Sequence, residues 1–334
     1  MKKASDKNNQ ADFIWKKHLK LLACPECYGD LYECGEKLKC ATCNCEYVIR
    51  QGVPFLLTHE SNERIKQFVK THLIHGGQGS NKVFIRLKNR FPSMSLIFDA
   101  IYPPPPTVNI IPKQTYCEIA HLLEKVGKHG IILNIGSGEK TSAGWKLWKH
   151  LSPESQAEVI NIDIAPFANV NVVADALRLP FKDASASCMI IQSVLEHIPE
   201  PLSLISEIAR VTKIGGCVYA EIPFIQGFHP DPNDYQRYTF TGIQHIFSNY
   251  FKEIRSGVSI GPTSALCWIL REYLSMLTNS EGFSLFIKFI SSWFLAPFRY
   301  LDYFMAKRKD ALRIACEIYY LGERHNKEGT YARK

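Results

Sequence analysis

The sequence has no uncharged apolar run long enough to cross a bilayer. Its most apolar stretch, Phe283 to Met305, is interrupted by Lys288 and Arg299, whereas a spanning helix needs about 18 or more uncharged residues. Nor does the chain open on a signal peptide, because its first apolar residues are scattered among Asp12, Lys16 and Lys17. Residence in the cytosol is therefore the expectation. Charge of one sign is not in large excess: 40 Lys and Arg stand against 32 Asp and Glu, for a net charge of +8. The basic residues gather at Lys2, Lys3, Lys7, Lys16, Lys17 and Lys20 and again at Lys307, Arg308 and Lys309. Such runs are either solvated ends or faces toward phosphates or an anionic membrane. No internal repeat is visible. What is present is ordinary for a soluble fold, 46% hydrophobic and 22% charged residues in a chain of 334, long enough to predict two domains.

Cysteine is not scarce. Eleven cysteines in a reducing compartment do not read as a disulfide framework, so close spacing points to metal ligation. Cys24-x-x-Cys27 and Cys40-x-x-Cys43 supply two tight turns whose amides stabilise thiolates, and two such turns face to face give the four sulfurs of a structural zinc. Cys34 and Cys45 fall off the pattern, although either could replace a ligand. A closed four-sulfur site leaves no position for water, so the metal is expected to hold the fold and perform no chemistry.

The chain divides accordingly into a basic tail (1–20), a zinc ribbon (21–58), a helical linker (59–112) and a catalytic domain (113–334) carrying an apolar helical insertion (262–312). The linker is read as a helix around Glu63 to Leu73, a break at Gly76, Gly77 and Gly79, and a stiff spacer of four prolines after Tyr102. Ile111 to Val126 is expected as the helix that precedes the first strand.

The catalytic domain is organised around Ile131 to Gly138, IILNIGSG. Its aliphatic run, closing on Gly136, Ser137 and Gly138, reads as a buried parallel strand ending in a tight turn where a ligand approaches the main chain. Next, VINIDI ends a second strand at Asp163 and Ile164, where an acidic side chain can accept both hydroxyls of a ribose. NVNVVADALRLPF ends a third at Asp175 and Ala176, and CMIIQSVLEHIPEP carries a fourth through Gln192 into a helix. Leu202 to Val211 reads as a helix and Lys213 to Gly216 as the turn into GCVYAEIPF, a fifth strand ending at Glu221. Phe251 to Ile260 and Ala315 to Leu321 serve as the sixth and seventh. The fold class is thus α/β, a Rossmann-like, mostly parallel seven-stranded sheet with helices on both faces, preceded by a small zinc ribbon.

These ordered motifs, over roughly residues 115 to 260, resemble the class I S-adenosylmethionine (SAM) methyltransferases, most closely the branch of the ubiquinone and menaquinone C-methyltransferases. The resemblance implies SAM as cofactor. It places Asn134, Gly136, Ser137 and Gly138 at the methionine part, Asp163 and Ile164 at the ribose, and Asp175 and Ala176 at the adenine, with Gln192 at the same edge. The chain departs from the family at Asn134, where an acidic residue is usual, and beside Glu139, where a glycine often stands. Asn still offers a carbonyl acceptor. The segment EYVIRQGVPFLL that follows the second cysteine pair is similar to the small zinc-ribbon proteins that activate RNA and protein methyltransferases, which keeps nucleic acid among the substrate classes.

The sulfonium of SAM makes its methyl carbon electrophilic, so such an enzyme mainly aligns a nucleophile and excludes water. A hydroxyl acceptor also needs a base. The polar loop GFHPDPNDYQRYT after the fifth strand lies where an open sheet places substrate groups, which makes His229 the favoured base, with Glu221 and Asp231 as carboxylate candidates beside Asp234. Asp231, Asp234 and Arg237 can instead cap turns and pair with each other, and His197 reads as structural or near the cofactor. After strand four the chain has Gln192, Ser193, Val194 and Leu195 in place of the Asp/Asn-Pro-Pro-Tyr/Phe of amino methyltransferases, and no proline-cysteine pair for cytosine C5 chemistry occurs. The expected acceptor is a small or lipid-linked molecule, such as a sugar or polysaccharide precursor at the membrane, methylated on oxygen. An RNA methyltransferase and a non-catalytic SAM-domain scaffold are the alternatives. Phe286, Phe289, Ile290, Trp293, Phe294, Pro297 and Leu301 recur at helical spacing in the insertion, which suits an interfacial helix on an anionic membrane, a cover over an apolar substrate, or a core element.

Overall fold

The computed structural model describes residues 14–63, 102, 104–126, 130–138, 158–230 and 233–326. Outside them lie the expected linker helix beyond Glu63, the break at Gly76 to Gly79, Lys2, Lys3, Lys7, Glu139 and the candidate Asp231.

After the short helix α1 (Ile14–Lys17), the ribbon contributes four antiparallel strands: β1 (Leu31–Cys34), β2 (Lys37–Cys40), β3 (Glu46–Arg50) and β4 (Val53–Leu56). Helix α2 (Lys113–Val126) then leads into β5 (Ile131–Ile135), β6 (Glu158–Asp163), β7 (Val172–Ala174) and β8 (Ala186–Gln192). Helix α3 (Pro201–Val211) precedes β9 (Thr212–Pro223), and α4 (Phe240–Phe247) precedes β10 (Phe251–Ile260). The insertion holds α5 (Pro262–Ser275), α6 (Glu281–Leu295) and α7 (Asp302–Met305), and β11 (Glu317–Arg324) closes the sheet.

The sheet has eleven strands, in the order β1-β2-β3-β4-β7-β6-β5-β8-β9-β11-β10, where seven were expected. The seven read from the sequence are β5 to β11. The other four belong to the ribbon, whose last strand pairs in parallel with β7 through Phe55 with Val173 and Leu56 with Ala174. An unpaired sheet edge is a row of free donors and acceptors, and the ribbon covers the one at β7. The junction is also packed. Leu22 and Trp15 share a core with Phe181, and the Arg210 guanidinium lies 4.2 Å from the centre of the Tyr28 ring.

Central strands are buried on both faces, as parallel sheets require. Side chains alternate between the two layers. Ile132, Cys188, Ile190, Cys217 and Tyr219 face Tyr116, Ile119 and Leu123 of α2, while Leu133, Ile135, Met189, Ile191 and Val218 share a core with Leu204, Ile205 and Ile208 of α3. One local expectation fails. Lys213 to Gly216 do not form a separate turn but lie within β9, where the pairing jumps from Ala186–Thr212 to Cys188–Cys217 and Gly215 takes a positive φ of 78°. A bulge does there what a turn was expected to do.

Strand β11 runs antiparallel to both β9 and β10. Consequently β10 runs the same way as β8 and β9, and the insertion that begins at Gly261 emerges on the edge where those strands end.

A candidate cofactor cradle, a four-cysteine cluster and a polar loop

Strand β5 stands at the switch point, with β6 on one side and β8 on the other, where open α/β sheets bind ligands. Beyond it Gly136 and Gly138 adopt φ of 65° and 57°. A Cβ on Gly136 would also meet Val194 Cγ2 at 2.3 Å, so glycine is required there on two counts. The Gly138 amide donates to Asp163 Oδ2 at 2.9 Å, and Asp163 Oδ1 accepts from the Ala165 amide at 2.9 Å. Asp163 thus ties the end of β6 to the glycine turn. Ser137 is buried, and its hydroxyl has no hydrogen-bond partner among the described residues. A glycine cradle with an orphaned hydroxyl fits a polar ligand such as the methionine part of SAM. Ile164 and Gln192 are half-buried beside it.

Two candidates are engaged differently from the expectation. Asn134 is buried and donates sideways to Asn161 Oδ1 at 3.1 Å. Asp175, next to half-buried Ala176, accepts from the Leu177 amide at 2.9 Å and from Ser61 Oγ at 2.8 Å. Ser61 lies just past the ribbon, so this carboxylate also fastens the ribbon's exit to the catalytic sheet. Nothing in the sequence pairs Ser61 with Asp175, 114 residues away.

Cys24, Cys27, Cys40 and Cys43 come together as predicted, their sulfurs all within 4.8 Å of one another. Cys24 Sγ lies 3.6 Å from Cys43 Sγ and Cys27 Sγ 3.5 Å from Cys40 Sγ. A tetrahedral zinc at 2.3 Å from each sulfur sets such edges at about 3.8 Å, so the cluster fits that ion closely. Burial pushes the Cys40 thiol up, but the amides of Cys43 and Thr42 outweigh it and bring it down to about 6, which favours a thiolate ligand. Tyr47 Oη lies 2.9 Å from Cys24 Sγ, an outer contact on the cluster. Cys34 and Cys45 are outside the cluster.

The loop between β9 and α4 is pinned over the ends of β8 and β9. Gln236 Nε2 donates to Ile198 O at 2.8 Å, and Arg237 pairs with Asp234, which also accepts the His229 amide at 2.9 Å. The pairing of Asp234 with Arg237 is the capping alternative read from the sequence. Asp234 is depressed below the usual carboxylate range because Arg237 and the His229 amide outweigh its burial.

His229 is two-fifths of the way into the same loop, and its Nδ1 donates to Gly227 O at 2.9 Å. Burial lowers its pKa, but Glu196, the Gly227 carbonyl and Asp234 outweigh that and raise it. Glu221 is buried and accepts from Tyr219 Oη at 2.6 Å and Asn109 Nδ2 at 3.1 Å. Each of its oxygens thus accepts a hydrogen bond, which holds the carboxylate in place at the end of β9. The carboxylate that does face His229 is Glu196, fully buried, with Oε1 3.7 Å from His229 Nε2 and 3.8 Å from His197 Nε2. Glu196 is absent from the sequence-based candidates. Its signal was a charged residue between the apolar Leu195 and His197 directly after a buried strand.

Residues 133–220, from Leu133 within β5 through most of β9, match the family model described as a methyltransferase domain. This segment is a methyltransferase domain. A 55-residue part of the chain is 40% identical to an uncharacterized methyltransferase of Mycobacterium leprae, covering 16% of this chain. The match spans about a fifth of that relative's length (20%). Among solved structures, the 1,6-didemethyltoxoflavin-N1-methyltransferase of Burkholderia thailandensis, with bound S-adenosylhomocysteine, is 10% identical over 64% of this chain and 80% of that one, at a TM-score of 0.37. Phosphoethanolamine N-methyltransferase 2 of Haemonchus contortus is 15% identical over 64% of this chain and 53% of that one, at a TM-score of 0.39. In the methyltransferase domain the glycine turn, Asp163 and the end of β8 all fall inside the matched residues.

Proposed function

We propose that the protein is a SAM-dependent methyltransferase that methylates an oxygen of a lipid-linked acceptor, with a zinc ribbon fixed to the edge of its sheet. The observation that carries the transfer reading is the cradle at the switch point, where Gly136, Gly138 and the orphaned Ser137 hydroxyl adjoin the Asp163 carboxylate. SAM bound there would supply an electrophilic methyl group. The chain's own residues would hold the cofactor through Asp163 and the glycine turn, align the acceptor, exclude water, and receive the hydroxyl proton at the cluster of Glu196, His197 and His229. The oxygen–carbon bond would form as the carbon–sulfur bond breaks, leaving a methyl ether and S-adenosylhomocysteine.

The lipid side of the reading rests on the insertion. The buried residues of α5 and α6 are mostly small, Ser264, Ala265, Cys267 and Ser275 on one and Ser291 and Ser292 beside Leu295 on the other, and Cys267 Sγ reaches the Leu295 carbonyl across the pair. Their large apolar side chains face outward: Phe286 is 56%, Trp293 45%, Phe294 71% and Met276 77% exposed. A helix pair in water buries its apolar face, whereas small contacts inside with aromatics outside suit a lipid surround. The Ser291 and Ser292 hydroxyls donate back to the carbonyls of Ile287 and Lys288, both at 2.7 Å, which removes their need for water. No helix of the described residues is long and apolar enough to cross a membrane, so the occupant that fits this face is the interfacial region of an anionic bilayer. Lys307, Arg308 and Lys309 are exposed at its end and supply complementary charge. Lys288 and Arg299, the cations within the apolar stretch, are engaged with Glu272 and with the Pro105 carbonyl. Cytosolic synthesis and a peripheral position at the membrane go with this reading.

Calorimetric titration of SAM into the full-length protein tests the cofactor. Binding is expected, and Asp163→Ala should weaken it at least about tenfold, since charge-assisted hydrogen bonds of about 1.5–3 kcal/mol each are lost. No binding by the wild type would leave the scaffold alternative. Labelled methyl groups should then enter the lipid extract of cells. Label in RNA, with binding that weakens steeply with salt, would support the RNA alternative.

A further inference from the structure

Glu196 is the most anomalous polar side chain described. It is fully buried, yet neither carboxylate oxygen has a hydrogen-bond partner among the described residues. An ionised carboxylate stripped of water is costly unless it is paired or bound to a metal. Two imidazoles face it. His197 Nδ1 donates to the Asn233 carbonyl at 2.5 Å and His229 Nδ1 to the Gly227 carbonyl at 2.9 Å, so the proton of each neutral ring is committed to the main chain. The opposite tautomer of His229 would accept from Arg237 Nη2 at 3.2 Å but turn a lone pair toward the Gly227 carbonyl. It would also aim Nε2–H at Glu196 from 3.7 Å, beyond hydrogen-bond length. The Nε2 lone pairs of both rings therefore converge with Glu196 Oε1, the three ligand atoms lying within 4.8 Å of one another.

We propose that Glu196, His197 and His229 form a binding site for a first-row divalent metal cation, distinct from the cysteine cluster. Carbonyls that fix the tautomer of each histidine are the usual outer contacts of metal-bound imidazole. The two edges to Glu196 suit the assignment, and the third, between the histidine nitrogens, is under 4.8 Å. Donors at about 2.1 Å from a tetrahedral ion stand about 3.4 Å apart, so 3.7 and 3.8 Å require a contraction of a few tenths of an ångström. Three protein donors leave at least one coordination position open, as in catalytic sites and unlike the closed set of four sulfurs. Both histidines are partly exposed while Glu196 is sealed, so the open position faces the crevice. The ring of Trp268 on α5 stands 6.4 Å from that of His229, which sets the site beneath the helical insertion. With the cation bound these side chains are ligands and no longer a base, so an acceptor hydroxyl taking the open position would be held and acidified there and its proton would pass to water, in place of transfer to the metal-free cluster. That role rests on the transfer reading above, whereas metal binding does not.

The test uses Zn2+ alone, with no SAM present. Full-length protein is equilibrated with a zinc buffer, desalted and analysed for metal. The wild type should hold one more zinc per chain than Glu196→Gln, whatever the ribbon retains. Titration calorimetry should show the corresponding site weakened at least tenfold in that variant and in His229→Ala. Glu196→Gln removes a buried charge without changing shape, so its metal-free melting temperature should not fall. Should it unfold, His197→Ala and His229→Ala carry the same comparison from partly exposed positions. Equal zinc content in the wild type and the folded variants overturns the proposal and leaves a proton between His229 and Glu196. SAM titration of the same samples reports on the cofactor pocket separately.

Discussion

Glu317 opens β11 at the edge where the parallel strands end, buried to 6% exposure. Burial pushes its carboxyl well above the ordinary range, and the nearby Glu221 and Glu196 add to the shift. Because the folded pKa is raised, the unfolded chain gives up this proton first as pH rises. Stability contributed by the protonated group is complete below the ordinary carboxyl range and is lost above it, up to the folded pKa. Glu317→Gln keeps the shape and cannot ionise. Its melting temperature should therefore exceed that of the wild type by a margin that grows as pH rises above the ordinary carboxyl range. A margin that is constant with pH, or reversed, would show that Glu317 is ionised in the fold. The residues that could be read in advance are those whose type is dictated by main-chain geometry, as Gly136 and Asp163 are. Glu196 and Ser61 could not be read, because their meaning comes from partners in other segments.

At the scale of elements the ribbon is the clearest case. Its four cysteines lie on two turns and are separated by spacing alone, so the cluster was visible without coordinates. Its attachment was not. The Ala23 amide donates to Pro180 O and the Lys182 amide to Leu21 O, both at 2.9 Å, and β4 extends the catalytic sheet. Structural zinc in small domains contributes folding free energy, about 10–16 kcal/mol in finger peptides, and here it would act on a shared core. Cys40→Ser should thus release about one zinc per chain and lower the melting temperature of the whole protein in a single transition. Metal analysis finding no zinc on the wild-type cysteines, or a catalytic domain that melts unchanged, would contradict this. Elsewhere the periodicities predicted α2 and α3 to within two residues at their starts, whereas the bulge at Lys213 to Gly216 depended on pairing with β8.

For the molecule as a whole, the question is what covers the outward face of α5 and α6. If it is an anionic bilayer, exposed Lys307, Arg308 and Lys309 contribute about 1 kcal/mol each near the surface, and the aromatics add area-dependent attraction. The wild type should co-sediment with anionic vesicles and much less with neutral ones. Phe289→Glu with Trp293→Glu would change one half-buried position, Phe289. Phe286→Glu with Phe294→Glu sits farther out and should abolish vesicle binding with little change in melting temperature. A large fall in melting temperature, or a concentration-dependent dimer that ignores vesicles, would assign the face to the protein itself.

The sequence by itself determined the elements that obey local rules. Aliphatic runs ending in glycine or aspartate had to be buried strands with polar ends, and paired cysteines had to converge. Strand direction then carried Gly138, Asp163, Asp175 and Gln192 to one edge. Only the tertiary structure decided that the ribbon completes the sheet, that Glu221 and Asp175 are already engaged, and that Glu196 meets His197 and His229. Those outcomes depend on contacts between segments far apart in the chain, where a side chain's charge and hydrogen bonding are set by whichever partner the packing brings within reach. The orientation of the apolar insertion was of the same kind, since helical periodicity marks an apolar stripe but not which side of the helix the fold will bury.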